Sequence, residues 1–192
     1  MLKNLLRTSA LLLFVFGTLQ GTMVPALSLE EIVERSEQIV HGRCLRTWTS
    51  WDAQTRAVWT HNEIEVADVL KGGRTQTVVV SEPGGRLGDI ETWIAGMPRY
   101  EPGEEVVVFL YRTPIGFVRS RGLGQGKFTV QADPASGELR VQAQLGGAAV
   151  VEPAGAARMP RIGLQQLDGE RLEAFKAQVR GLVIRQAQGG RQ

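Results

Sequence analysis

The chain is short of most groups from which disulfide scaffolds and catalytic sites are built. Its 192 residues include one cysteine, Cys44, and two histidines, His41 and His61. A single thiol excludes an intramolecular disulfide framework, so packing must hold the fold together. No His-Glu-x-x-His is present, which excludes a zincin-type metal site, and no Gly-x-Ser-x-Gly is present, which excludes an α/β-hydrolase nucleophile elbow. Gly122-Leu123-Gly124-Gln125-Gly126-Lys127 does not make a Walker phosphate loop: Arg121 stands where the first glycine belongs and Phe128 where Ser or Thr belongs. It reads as a strand connector. There is no Asn-x-Ser/Thr acceptor for glycosylation.

Long apolar runs are also missing. The longest near the N-terminus, Ala10–Phe16, has seven residues, far below the roughly 20 that span a bilayer. Its setting is that of an export signal instead. Lys3 and Arg7 precede it, Gly17 ends it, and Val24-Pro25-Ala26 offers a small-residue cleavage site, with Ala26-Leu27-Ser28 an alternative. Residues 1–26 are therefore expected to be a signal peptide, with a periplasmic or secreted mature protein that keeps no stable membrane anchor. Lys3 and Arg7 lie in that segment and none of the 20 acidic residues does, so of the 22 basic residues 20 remain against 20 acids. The apparent basicity of the whole chain then disappears, and with it the excess positive charge that nucleic-acid binding requires.

The remaining residues suit one domain. Ser28-Leu29-Glu30-Glu31 forms a capping box and predicts a short helix ending near Glu37. Ile39–Trp48 and Ala57–Leu70 read as two long strands joined through Asp52-Ala53-Gln54-Thr55, a hairpin centred near Ala53–Gln54. Thr77–Val80 reads as a buried strand, Pro83-Gly84-Gly85 to Gly88 as a loop, and Ile90–Ala95 as a short segment. Val106–Tyr111, the most apolar stretch after the signal, predicts a central strand; Gly116–Ser120, Lys127–Ala132 and Glu138–Gln144 predict further strands. Residues 145–163, rich in Gly, Ala and Pro, read as an irregular linker. Leu172, Phe175, Val179 and Leu182 recur at helical spacing behind Asp168, read as N-cap, within a C-terminal helix and tail over 164–192. Helix, strand meander and closing amphipathic helix predict a mainly β fold, a small barrel over 27–144, with a sandwich as the competing arrangement.

Three sets of residues invite a functional reading. Trp48, Trp51 and Trp59 gather toward the end of the predicted hairpin, with Trp48 and Trp59 close enough to stack, and exposed aromatics at a loop end mark recognition of protein or sugar. Pro83, Gly84 and Gly85 supply a second candidate contact. His41, His61 and Cys44 are the only soft metal ligands or nucleophile–base candidates. Strand alternation points Cys44 inward and His41 outward, and His61 falls several residues away along the hairpin, so neither a metal, a cofactor nor a catalytic residue is assigned. Glu30-Glu31 and Glu104-Glu105 read as helix-start and turn residues.

Several of these segments also resemble a known pattern. Ser36-Glu37-Gln38-Ile39-Val40-His41-Gly42-Arg43-Cys44, Ile64–Gly72, Pro83-Gly84-Gly85, Gly96–Tyr100 and Gly103–Val106 are similar, in order, to bacterial exported proteins of unknown function. The order also resembles the netrin-like modules of tissue inhibitors of metalloproteases. That resemblance implies an OB-like barrel with a leading helix and a long first hairpin. Inhibitors of that kind use an N-terminal cysteine, and no cysteine stands near Leu27 or Leu29, so no active residue carries over. The expected function is an exported, non-enzymatic binding module whose partner is another extracytoplasmic protein, with association to a secreted protease as one form. A glycan-binding module using the same tryptophans, and a hydrolase or thiol enzyme around His41, His61 and Cys44, are the alternatives.

Overall fold

A computed structural model of the chain describes residues 23–144, 149–151 and 162–189. The export-signal reading of residues 1–22, and most of the stretch read as linker, lie outside the described residues. Within that stretch, residues 149–151 form a short strand.

The elements follow in chain order. They are β1 (Met23–Pro25), α1 (Leu29–Arg35), β2 (Gln38–Asp52), β3 (Ala57–Lys71), β4 (Thr77–Pro83), β5 (Gly85–Leu87), β6 (Ile90–Thr92), β7 (Glu105–Arg112), β8 (Val118–Ser120), β9 (Lys127–Ala132), β10 (Leu139–Ala143), β11 (Ala149–Val151) and α2 (Leu172–Gly189). The fold is mainly β. One sheet of seven strands runs β10-β9-β7-β2-β3-β4-β8, and β8 pairs with β7 as well as with β4. Its neighbours are antiparallel except β4 and β8, which meet in parallel at Val80 and Val118. A β5–β6 hairpin and a parallel β1–β11 pair stand outside it.

Side-chain alternation divides the core in two. From β7, Val106, Val108 and Leu110 join Val40, Cys44, Ile64, Val80 and Tyr100 on one face. Val107 and Phe109 join Ile39, Phe128 and the helices on the other. Both faces of β7 are covered, which is why its sequence is an unbroken apolar run rather than an alternating one. The second cluster exists because α1 and α2 lie over the same side of the sheet. α1 buries Leu29, Ile32 and Val33 and starts at the expected capping box: the Ser28 hydroxyl accepts from the Glu31 N–H at 3.2 Å, and Glu31 Oε2 accepts from the Ser28 N–H at 3.0 Å. α2 buries Leu172, Phe175, Val179 and Leu182, the four residues at helical spacing. Lys176 and Arg180 on α2 both reach Asp68 of β3, at 2.7 and 2.6 Å.

Three local expectations are corrected. Asp168 does not cap α2, which begins four residues later. It ends a 3-10 turn over Leu164–Leu167, and its carboxylate accepts the Ala143 N–H at 3.0 Å, tying the turn to β10. α1 stops at Arg35, where Ser36 turns to extended backbone and its hydroxyl donates back to the Ile32 carbonyl at 2.6 Å. His41, expected to face outward, lies on the face opposite Val40 and Cys44 as alternation requires, but that face is not open to solvent. Its cross-strand neighbours are Val107, in the helix-side core, and Asp68, which is bonded to α2, so His41 is buried. Gly42 permits the β2–β3 register shift at His41/Gly42, since a Cβ there would sit 2.1 Å from the Glu65 carbonyl oxygen.

Candidate functional site

The turn-proximal half of the β2–β3 hairpin extends past β7, which pairs with β2 only from Gln38 to Arg43. The face left open there is roofed by β5, β6 and the chain from Trp93 to Pro102. Between hairpin and roof lies a cavity of about 290 Å³. Thr47 and Thr49 of β2, Thr60 and Asn62 of β3 and Glu82 of β4 form its floor. Trp93, Ile94, Met97 and Pro98 form an apolar wall, and Tyr100 joins the cavity to the core beneath.

Internal hydrogen bonds fix the floor. Thr49 Oγ1 donates to the Arg86 carbonyl at 2.8 Å and Thr60 Oγ1 to the Gly84 carbonyl at 2.7 Å, which pins the 84–86 segment over the hairpin. Thr47 Oγ1 donates to Asn62 Oδ1 at 3.1 Å, and Asn62 Nδ2 donates to the Val80 carbonyl at 3.1 Å. Gly84 and Gly85 have φ of +102° and +128°, a region side chains avoid, and a Cβ on Gly85 would stand 2.3 Å from Thr60 Oγ1. These two glycines are thus what lets the roof approach the floor.

Glu82 sits at the back, only 3% exposed. Its carboxylate accepts from the Ser120 N–H at 2.7 Å and from Arg119 Nε at 3.1 Å. Burial pushes its carboxyl above the usual range, with Arg119 and the Ser120 bonds opposing. The Tyr100 hydroxyl lies 2.6 Å from Ser120 Oγ, so Tyr100 and Glu82 converge on one residue of β8.

Of the residues singled out in the sequence, Pro83, Gly84 and Gly85 line this cavity, and Trp48, Trp51 and Trp59 do not. The tryptophans do not form one cluster. Register pairs Trp48 with His61 and Trp59 with Ser50, so Trp48 and Trp59 do not face each other across the strands. Trp48 stacks on His61 with centroids 5.3 Å apart; Trp59, 5% exposed, packs on Phe117 at 4.3 Å and donates its indole N–H to Thr55 Oγ1 at 2.7 Å. Trp51 stays 51% exposed near the hairpin tip. Trp93, absent from the sequence-based candidates, is 55% exposed at the cavity wall, carries Arg99 over its ring at 4.2 Å and donates to Glu91. Its position in a short segment bounded by Gly88 and Gly96-Met97-Pro98 was the available signal.

His41, His61 and Cys44 do not converge. His41 Nε2 meets Glu105 Oε1 at 2.8 Å, and Arg43 shares that carboxylate at 3.0 Å. His61 lies between Ser50 and Ser81 hydroxyls, each at 2.8 Å. Cys44 is buried beside Thr47, and burial pushes its thiol up. Among the described residues, no group of three His, Cys, Asp or Glu side chains is arranged to hold a metal ion.

Burial holds the His61 imidazole below its ordinary value of 6.5, with Asp52 opposing weakly. At neutral pH it is uncharged both folded and unfolded. As pH falls through 6.5 the unfolded chain takes up a proton that the folded site resists, so stability falls until the folded site itself protonates. Urea denaturation from pH 8 to 5 should therefore show a decline that His61→Gln flattens. An equal decline in both proteins would assign the effect to other groups.

Compared with family models, with curated proteins and with solved structures, the chain matches none. The arrangement itself therefore carries the functional reading.

Proposed function

We propose that this chain is an exported, non-enzymatic binding module whose fold is an OB-like, netrin-like barrel and whose partner is another extracytoplasmic protein. For the barrel, support comes from β8. Because it bonds to both β4 and β7, the strands β7, β2, β3, β4 and β8 are each flanked by two others in a ring of neighbours. For the function, the carrying observation is the cavity with its apolar, solvent-facing rim. Trp93, Ile94 and Ile90 are exposed on the roof and Trp51 near the hairpin tip, while the floor beneath them is locked by its own hydrogen bonds. Exposed aromatics around a preformed hollow are the anatomy of a recognition surface. No histidine or cysteine lines the hollow, and its buried Glu82 and Tyr100 are committed to Arg119 and Ser120, which favours binding over acid–base or nucleophilic chemistry. A secreted protease is the partner class toward which the netrin-like resemblance points.

The test is capture of exported proteins by the purified chain, compared with its Trp93→Ala variant. The wild type should retain a stoichiometric partner. Trp93→Ala should weaken that complex about 30-fold, the ~2 kcal/mol of a hot-spot aromatic, with urea stability unchanged. Equal retention by both proteins would sink the cavity rim as the contact. The exposure of Trp51 and Trp93 also admits a glycan reading, and tryptophan quenching by oligosaccharides with no protein captured would favour it.

A further inference from the structure

The hydrogen bonds of the cavity floor run one way. The hydroxyl protons of Thr49 and Thr60 go to backbone carbonyls of the roof, and that of Thr47 goes to Asn62. Of the two Asn62 amide protons, one goes to the Val80 carbonyl. Glu82 can only accept when ionised, and the Tyr100 hydroxyl is engaged with Ser120. What the threonines still present to an occupant is oxygen lone pairs, beside the second amide proton of Asn62. A group that only accepts, such as a carboxylate or phosphate, finds no hydroxyl donor among the floor threonines and a single amide proton of Asn62.

Charge narrows the choice further. Glu82 and Glu101 line the cavity with Arg86 and Arg99, and Arg119 stands directly behind Glu82. Three cations against two carboxylates give an organic cation no net attraction, although the floor would accept its protons. The wall is apolar: Trp93, Ile94, Met97 and Pro98. The volume of about 290 Å³ is at the small end of ligand sites, enough for one ring-sized group rather than an oligosaccharide or a folded segment.

Resting on the binding-module reading, we infer that this cavity receives the side chain of a tyrosine presented by the protein partner. Its ring lies against the Trp93–Pro98 wall, and its hydroxyl donates to the threonine oxygens of the floor. A phenol combines an apolar body, no charge and one proton to give, and those are the three properties the cavity selects for. A site built to accept a hydrogen bond discriminates strongly against an analogue that lacks the donor, because its buried acceptors are then left unpaired.

The probe is p-cresol, titrated into the ¹⁵N-labelled chain at millimolar concentration, with toluene, n-butylammonium and methyl α-glucoside as comparisons. p-Cresol should shift the Trp93 indole and the Gly84 and Gly85 amides, with at least tenfold higher affinity than toluene. Thr49→Val should bring the two within threefold, and Trp93→Ala should abolish both sets of shifts. Equal affinity for toluene and p-cresol in the wild type would overturn the inference, as would preferential binding of butylammonium or the glucoside. Absence of any shift at these residues would overturn it too. Loss of p-cresol binding alongside Trp93-dependent capture of a partner would remove only this inference. p-Cresol binding without any captured partner would instead remove the binding-module reading.

Discussion

Phe109→Ala should lower the free energy of unfolding by about 4 kcal/mol, read by urea denaturation at pH 7. Phe109 is fully buried on β7, where the sheet meets the helices. Its ring lies 5.9 Å from Phe128 of β9 and 6.3 Å, edge-on, from Phe175 of α2, and Phe128 and Phe175 are 4.8 Å apart. Removing the central ring leaves a hole bounded by a strand on each side and a helix above. β7 cannot move to fill it without breaking its pairing with β2 and β9. The loss is therefore expected near the upper part of the large-to-small range, while Phe109→Leu, which fills much of the space, should cost about 1–2 kcal/mol. Because the rings touch, Phe109→Ala and Phe175→Ala together should cost less than the sum of the two single changes. A loss below about 1 kcal/mol for Phe109→Ala would contradict the aromatic packing between sheet and α2.

Glu82→Ala is the second large effect, expected at about 3–5 kcal/mol. The substitution leaves the Arg119 guanidinium without its carboxylate and the buried Ser120 N–H without its acceptor. Glu82→Gln keeps the shape but has one acceptor oxygen, whereas the Arg119 Nε and the Ser120 N–H bond different carboxylate oxygens. One of the two donors therefore loses its acceptor, and the cost at pH 7 should be about 1–3 kcal/mol. The pH dependence separates charge from hydrogen bonding. The folded carboxyl is held above its ordinary value of 4.5 by burial. Its favourable contribution is thus complete below that value and is lost as pH rises through the folded value. Wild type should then lose stability relative to Glu82→Gln between pH 4.5 and neutrality. A constant difference across that range would mean that the carboxylate is fully compensated by Arg119.

What the sequence made legible was local. The Ser28–Glu31 capping box, the long hairpin and the four α2 positions Leu172, Phe175, Val179 and Leu182 each depend on residues a few positions apart, and each is present, although the first hairpin strand runs on to Asp52 rather than ending at Trp48. The mainly β character followed from the same short-range signals. The tryptophan arrangement was not legible, because it depends on a turn centre that propensity places only within a residue or so. The turn pairs Asp52 with Ala57, one position beyond the centre read from Ala53–Gln54, and a one-residue shift of centre moves every cross-strand pair by two. Trp59 thereby meets Ser50 and is buried, while Trp48 covers His61. The burial of His41 was hidden for a different reason, since alternation tells which face it takes but not that a helix layer covers that face. Pro83, Gly84 and Gly85 were recognised as a loop of interest, but what they cover, Thr49 and Thr60 some 25 to 35 residues earlier, appears only once the strands are paired. Trp93 carries no periodicity at all.

The larger core joins the two ends of the described chain: α1 packs on α2, Leu29 N–H donates to the Ile162 carbonyl at 2.9 Å, and Gln186 Nε2 donates to the Glu30 carbonyl at 3.1 Å. Ile39, Phe109 and Phe128 are therefore sheltered only when residues beyond 170 have arrived. A chain emerging from its N-terminus can form the β2–β3 hairpin early, yet must hold an uncovered apolar sheet face until its last helix docks. Closure across so long a stretch of sequence makes folding slow for a domain of this size. The same connection couples the first helix to the last in unfolding, so loss of α2 would release α1 with it.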